Sequence, residues 1–305
     1  MSRVQSYAQL VRLPNLPSAL ADVCLGGLAA GALPGRWLTW LLLLPASGCL
    51  YCAGMVWNDY FDLDQDRRER PFRPIPSGRV TLAEARMLGT GLMAAGGLFA
   101  ALATLVGGSL LPVVLAGLLV GAIFLYDGAL KATWAGPIAM GLCRFLNVLL
   151  GVSAAGQLLW PRGPHLALVV GVYVAGITWF ARTEARESNR TALQAAASIM
   201  LAALVMALPL PLYPDPSNPR VGVESSPLFV YLLVALGFAV GLPVCRALTS
   251  PTPANVQAAV KRALLCLIVL DTVLATALVG TLGLAILVLL VPGLYLNWRK
   301  ELYAT

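Results

Sequence analysis

From Leu16 to Trp298 the chain is a train of apolar stretches separated by short polar or Gly/Pro-rich turns. A helix that crosses a hydrocarbon core needs roughly 20 apolar residues, and the pattern repeats near that length. Helices are expected over 16–33, 37–57, 82–106, 108–126, 136–160, 166–181, 192–211 and 227–248. The last stretch, Leu264 to Trp298, is too long for one span at about 1.5 Å per residue, so a break near Gly280 and Gly283 is expected to divide it. The expected fold is all-α: a polytopic transmembrane helical bundle of nine to ten spans. It forms one domain over 1–305, with pseudo-repeat halves at 16–126 and 136–248. Charged residues are 11% of the chain, against about a quarter in soluble domains. Too little charge remains to coat a water-soluble enzyme or to keep a chain disordered.

The few charges are unevenly placed. With the N-terminus inside, fifteen basic residues fall on the inner side and three, Arg36, Arg162 and Arg220, in outer loops. Ten spans add Arg299 and Lys300 to the inner side, in line with the positive-inside bias. The net charge of +7 is therefore assigned to membrane topology, and no nucleic-acid motif accompanies it. The N-terminal segment lacks an A-x-A-like cleavage site, so the first span is expected to be retained. The six cysteines lie in apolar stretches, and Cys49 and Cys52 have no zinc or redox pattern around them. His165, in a Pro-rich turn, is expected at the surface.

Five of the fourteen acidic residues fall between Asn58 and Glu69. If the second span continues as a helix, Asn58, Asp62 and Asp66 recur every four residues and share one face. Asp64 points away, and Asp59 is ambiguous. Bare carboxylates so close would repel, and a divalent cation removes that cost. Mg²⁺ takes one or two carboxylates together with phosphate oxygens. The run Arg67, Arg68, Arg70, Arg73 and Arg79 supplies cations for a phosphate group. Acid stripe, basic run and apolar bundle together point to a magnesium-bound lipid diphosphate.

The segment NDYFDLDQDRRERPFRPIPSG (58–78) closely resembles the first signature of the UbiA superfamily of intramembrane prenyltransferases. The resemblance implies a helical bundle around a lipid-open cavity, Mg²⁺ as cofactor, an isoprenyl diphosphate donor and a lipophilic acceptor. It implies that Asn58, Asp62 and Asp66 bind the magnesium diphosphate, and that Arg70 and Arg73 help hold the phosphates. In YDGALKATWAGP (126–137), Lys131 would contact the diphosphate with Tyr126 nearby. The family's second pair of Asp is replaced by RTEARESNR (182–190). Either Glu184 and Glu187 hold a second metal, or Arg182 and Arg186 neutralise the diphosphate directly. In this respect the chain is similar to the EboC-like branch of bacterial members, which implies the bacterial inner (plasma) membrane, with N-terminus and active-site loops cytoplasmic.

Charged groups within spans are costly and default to function. Arg144 and Asn147, three apart on one helix face, either line the cavity and touch diphosphate or acceptor, or bond between helices. Asp22 or Asp271 is a candidate partner for Arg144. Tyr51, Trp57, Phe145, Tyr173, Trp179 and Phe180 are candidates to face a prenyl chain. The expected activity is Mg²⁺-dependent transfer of a prenyl group to an acceptor within the membrane. The alternatives are a polyisoprenoid lipid transporter and a catalytically degenerate lipid-binding subunit of a membrane complex.

Overall fold

The computed structural model describes residues 2–182, 189–213 and 227–298. They form twelve α-helices and no strand. In chain order these are α1 (Arg3–Leu10), α2 (Leu16–Ala29), α3 (Trp37–Phe61), α4 (Leu63–Glu69), α5 (Leu82–Gly107) and α6 (Leu111–Leu125). They continue as α7 (Gly136–Val152), α8 (Arg162–Ala181), α9 (Arg190–Ala207), α10 (Pro227–Thr249), α11 (Pro253–Val279) and α12 (Leu290–Trp298). Eight segments are long and apolar enough to cross a membrane. α2, with 14 residues, is too short for this count, although it is largely buried.

The eighth segment, Pro253–Leu296, is bent. At Gly280 the backbone takes φ +61°, which a side chain would strain. The chain turns there and returns against α11 as a 3-10 helix, Gly280–Leu289, followed by α12. Gly283 sits so close to α11 that a Cβ would lie 2.5 Å from the Thr276 nitrogen. The expected break is therefore present, and the last stretch has two arms. Counted with α2, the described residues form ten apolar rods.

Helix ends in the chain carry sequence caps. Ser2 and Gln5 close a capping box on α1, and Thr81 and Glu84 do so on α5. Each supplies acceptors and donors for backbone groups that the first turn leaves unpaired. Arg3 also pairs with Glu84 and ties α1 to α5. Thr252 caps α11 through the Asn255 amide.

Two expectations at the start of α8 fail. Arg162 is not in an outer loop: it begins α8, is buried, and donates to the Ala29 carbonyl at 3.1 Å. His165 is half-buried rather than a surface residue. Its ring nitrogens lie 2.8 Å from the Tyr213 hydroxyl and 2.9 Å from the Met206 carbonyl. Both polar groups find partners in the bundle's edge, which a pattern of turn residues does not reveal. The six cysteines are free thiols; Cys52 and Cys266 are buried, Cys24, Cys49 and Cys143 are half-buried, and Cys245 is exposed.

Small residues let helices approach closely, as is common where lipid gives no hydrophobic drive to association. α2 and α7 nearly touch: a Cβ on Gly26 would lie 2.3 Å from the Val148 oxygen, and one on Gly151 would lie 2.5 Å from the Val23 oxygen. Gly117 on α6 faces open space. Gly151→Ala is expected to lower the thermal unfolding midpoint in detergent, at a cost of about 1–3 kcal/mol from overpacking. Gly117→Ala is expected to leave the midpoint unchanged or raise it, because Ala is the better helix former. An unchanged midpoint for Gly151→Ala would contradict the close α2–α7 approach.

Candidate active site

The ends of α3, α6 and α8 and the starts of α7 and α11 meet at one end of the bundle around a cavity of about 1400 Å³. Ligand pockets usually measure ~300–1,000 Å³, so this one has room for a long chain. Leu119, Ile123, Val174, Ile177 and Ile268 give it apolar walls, and Asn58, Arg70, Arg73, Tyr126, Arg144 and Asn147 of the predicted polar residues line it, whereas Asp62, Asp66 and Lys131 do not.

α3 ends at Phe61, and Asp62 caps it. The turn continues almost without interruption: the Asp62 amide donates to Asn58 O at 3.0 Å, and the Asp66 amide donates to Asp62 O at 2.8 Å. The four-residue stripe of Asn58, Asp62 and Asp66 therefore survives the change from α3 to α4. Asp64 is exposed, as expected, and pairs with Arg67. Asp59 is resolved: it is 1% exposed and takes two guanidinium contacts.

These contacts form a continuous ladder. Arg73 Nη1 donates to Asp66 Oδ2 at 2.8 Å and to Asp59 Oδ1 at 3.2 Å. Arg12 Nη2 donates to Asp59 Oδ1 at 3.1 Å and to Asn58 Oδ1 at 3.2 Å. Asn58 Nδ2 donates to Asp127 Oδ1 at 2.7 Å. Beside the ladder, Lys131 Nζ pairs with Asp62 Oδ2. Burial pushes the Asp66 carboxyl above the usual carboxylate range, and the Arg73 contact opposes that shift.

Two members of the ladder escaped sequence reasoning. Arg12 looked like a topology residue ahead of the first span. Its backbone is left-handed, φ +48°, which is costly for Arg and turns the chain between α1 and α2. Asp127 sits in a π-helical turn, Tyr126–Leu130, where the Lys131 amide reaches back to the Tyr126 carbonyl at 2.9 Å. That turn puts Tyr126 and Asp127 on the cavity and Lys131 beside Asp62. Such local widening recurs at functional sites. Asp127 was visible only as a lone acid four residues before Lys131.

The other predicted residues divide. Arg70 and Arg73 line the cavity. Arg182 is exposed and donates to the Thr133 carbonyl, fastening the end of α8 to the turn before α7. Glu184, Arg186 and Glu187 lie outside the described residues. Arg144 and Asn147 line the cavity, but their polar atoms join helices. Arg144 donates to Asp22 Oδ2 at 3.0 Å and to Ser18 Oγ at 2.9 Å. Asn147 donates to the same Asp22 oxygen at 2.8 Å and to the Ala19 carbonyl at 2.9 Å, and accepts from Ser47 at 2.7 Å. Of the six candidate aromatics only Tyr51 lines the cavity. Tyr173 is fully buried and donates to the Ala263 carbonyl, and Trp57 packs against Tyr60, Phe61 and Phe124.

Among the described residues, no three His, Cys, Asp or Glu side chains converge tightly enough to hold a metal alone. The oxygen donors present are an amide and separate carboxylates. That set suits Mg²⁺, which takes few protein ligands and completes its shell with phosphate oxygens and water.

The sequence profile of the UbiA prenyltransferase family matches residues 19–263. The chain belongs to the UbiA prenyltransferase family. It is accordingly an integral membrane protein, consistent with its eight long apolar segments. Among curated relatives, it is 42% identical over 94 residues to the digeranylgeranylglyceryl phosphate synthase of Methanopyrus kandleri, covering 30% of this chain and 34% of that one. The chain thus spans about a third of the length of the curated relatives it matches. It shares its fold with a solved structure described by biosynthesis of digeranylgeranylglyceryl phosphate synthase in membranes, at a TM-score of 0.65 and 19% identity, covering 92% of this chain and 99% of that one. A UbiA homolog from Archaeoglobus fulgidus bound to GPP and Mg²⁺ matches at a TM-score of 0.58 and 15% identity, covering 85% of this chain and 98% of that one.

Among the described residues, Arg73 is the one cation that pairs with both Asp59 and Asp66. Arg73→Gln is expected to destabilise the fold by about 3–5 kcal/mol, because it strands buried charge. Arg67→Gln, which breaks only an exposed pair, is expected to leave the unfolding midpoint in place. Equal midpoints for both variants would contradict the ladder.

Proposed function

We propose that the protein transfers a prenyl group from an allylic isoprenyl diphosphate to a lipophilic acceptor inside the membrane, with Mg²⁺ as cofactor. The observation that carries this reading is the ladder of Asp66, Arg73, Asp59, Arg12, Asn58 and Asp127 at the rim of an apolar cavity. A transporter has no need of so many partnered charges at one end. The UbiA homolog from Archaeoglobus fulgidus with GPP and Mg²⁺ supports the same pairing of donor and metal.

In this proposal Asn58, Asp62 and Asp66 hold the metal, with Asp127 as a further oxygen donor. When bound, Mg²⁺ supplies positive charge to the diphosphate leaving group. Arg70, Arg73 and Lys131 hold the phosphate oxygens, Tyr126 faces them, and these fixed cations stabilise the charge that grows there. The allylic C–O bond breaks with its electron pair leaving on the diphosphate oxygen. The acceptor's nucleophilic atom then bonds to the allylic carbon and gives up its proton. The apolar walls hold the prenyl chain and keep water from the cation.

Lys131 pairs with Asp62, and Arg73 with Asp66. Each cation is thereby held ready at the carboxylate that it would share with the metal diphosphate. Arg144 and Asn147 enter the proposal as the floor of the cavity, fixed by Asp22. Arg182 braces the 126–135 turn, and Arg186, Glu184 and Glu187 are proposed to close the other side of the diphosphate. The curated relatives named above are archaeal and carry glyceryl phosphate in the name of their product, which supports a glyceryl phosphate lipid as acceptor. The EboC-like branch and the bacterial inner membrane rest on the altered second motif alone. The positive-inside bias supports cytoplasmic placement of the site.

Purified protein given geranylgeranyl diphosphate, Mg²⁺ and a panel of lipid acceptors is expected to form a prenylated product. Asp62→Asn or Asp66→Asn is expected to lower turnover by about 10²-fold or more. Full activity in both variants, or no product from the unaltered protein with any acceptor, would overturn the proposal.

A further inference from the structure

The proposed diphosphate site uses the wall built by α3, α4 and the 126–131 turn. The wall built by α11 carries charge that this site does not use. α11 packs on α2, α8 and α10, and it presents Gln257, Lys261, Leu264, Leu265 and Ile268 to the cavity. Their spacing of four, three, one and three residues keeps them on one helix face. Arg262 also lines the cavity and is exposed.

The charges around the cavity are unbalanced. Arg12, Arg70, Arg73, Arg144, Lys261 and Arg262 line it, against Glu69 and Asp127. Arg12 and Arg73 are committed to Asp59, and Arg144 to Asp22. Arg262 has no ion-pair partner among the described residues. A magnesium-bound diphosphate retains little net negative charge, and Arg70, Arg73 and Lys131 already lie on its side. Arg262 therefore remains for a second anion. About 9 Å further along the helix, at 1.5 Å per residue, the same face has become apolar at Ile268, where Leu294 of α12 also lines the cavity.

We propose that Arg262, with Lys261 beside it, forms a second anion subsite for the phosphate headgroup of an amphipathic acceptor. The acceptor's tail lies along Leu264, Leu265 and Ile268. Guanidinium suits a phosphate because its planar fork offers paired donors. This assignment rests on the prenyl-transfer reading, since it names the group that the second substrate must carry and the wall on which it sits. With headgroup on α11 and donor diphosphate on the α3 side, the two anions are kept apart, and the donor's allylic carbon meets the acceptor's hydroxyl oxygen between them.

The test uses the full chain purified in detergent, with a long-chain glyceryl phosphate and the corresponding neutral glyceryl lipid as paired probes. Arg262→Gln is expected to raise KM for the phosphate acceptor about tenfold, with KM for geranylgeranyl diphosphate changed less than about twofold. Arg262→Lys is expected to recover part of the loss, and the neutral lipid is expected to be indifferent to either change. An unchanged acceptor KM would overturn the subsite, as would an equal rise in both KM values.

Equilibrium binding separates this inference from the enzyme reading. The unaltered protein is expected to bind the phosphate lipid more tightly than the neutral one, and Arg262→Gln is expected to abolish the difference. If that holds without turnover on any acceptor, the subsite stands and the enzyme reading fails. If turnover holds but the two lipids bind alike, the subsite fails alone. Inorganic phosphate is expected to compete only weakly, because it lacks the tail. Competition as strong as that of the lipid would overturn an amphipathic ligand in favour of free phosphate.

Discussion

Buried acids at the end of an apolar bundle must be matched by cations, and one ladder of contacts meets that demand here. Asp59 and Asp66 are each 1% exposed. Left unpaired, either would cost several kcal/mol. Arg73 reaches both, and Arg12 reaches Asp59 and the amide of Asn58. Because Arg12 precedes α2, Arg73 follows α4, and Asp127 follows α6, the ladder draws three separated stretches of chain to one rim. The shape of the cavity mouth depends on this convergence.

A second polar network does the corresponding work at the cavity floor. Asp22 on α2 takes both Arg144 and Asn147 from α7, and Ser47 on α3 donates to the Asn147 side-chain oxygen. Gly26 and Gly151 bring α2 and α7 close enough for these short bonds. Packing and polar contacts therefore specify the same helix pair. The apolar space between rim and floor is what remains when both are fixed.

Much of this was legible in the sequence, for identifiable reasons. Apolar length located the helices, and Gly280 and Gly283 marked the turn in the C-terminal hairpin. The four-residue spacing of Asn58, Asp62 and Asp66 gave the stripe, since helical periodicity holds through the change to α4. Asp59 stayed ambiguous because its burial depends on Arg12, 47 residues earlier. Arg12 and Asp127 were missed because nothing local to them signals a partner. Tyr173 and Trp57 were candidates for the cavity because periodicity cannot tell a lipid tail from a neighbouring helix. Arg162 and His165 read as loop residues because Pro161 and Pro164 obscured an early start to α8.

The proposed activity requires that the ladder and Lys131 together bind a diphosphate through a metal that neither protein nor ligand holds well alone. The most direct measurement is calorimetric titration of an uncleavable thiolo analogue of geranylgeranyl diphosphate into the purified protein, with Mg²⁺ and with a chelator. Saturable binding is expected with Mg²⁺, weakened about tenfold or more by the chelator. Binding that is equally tight in the chelator would contradict it.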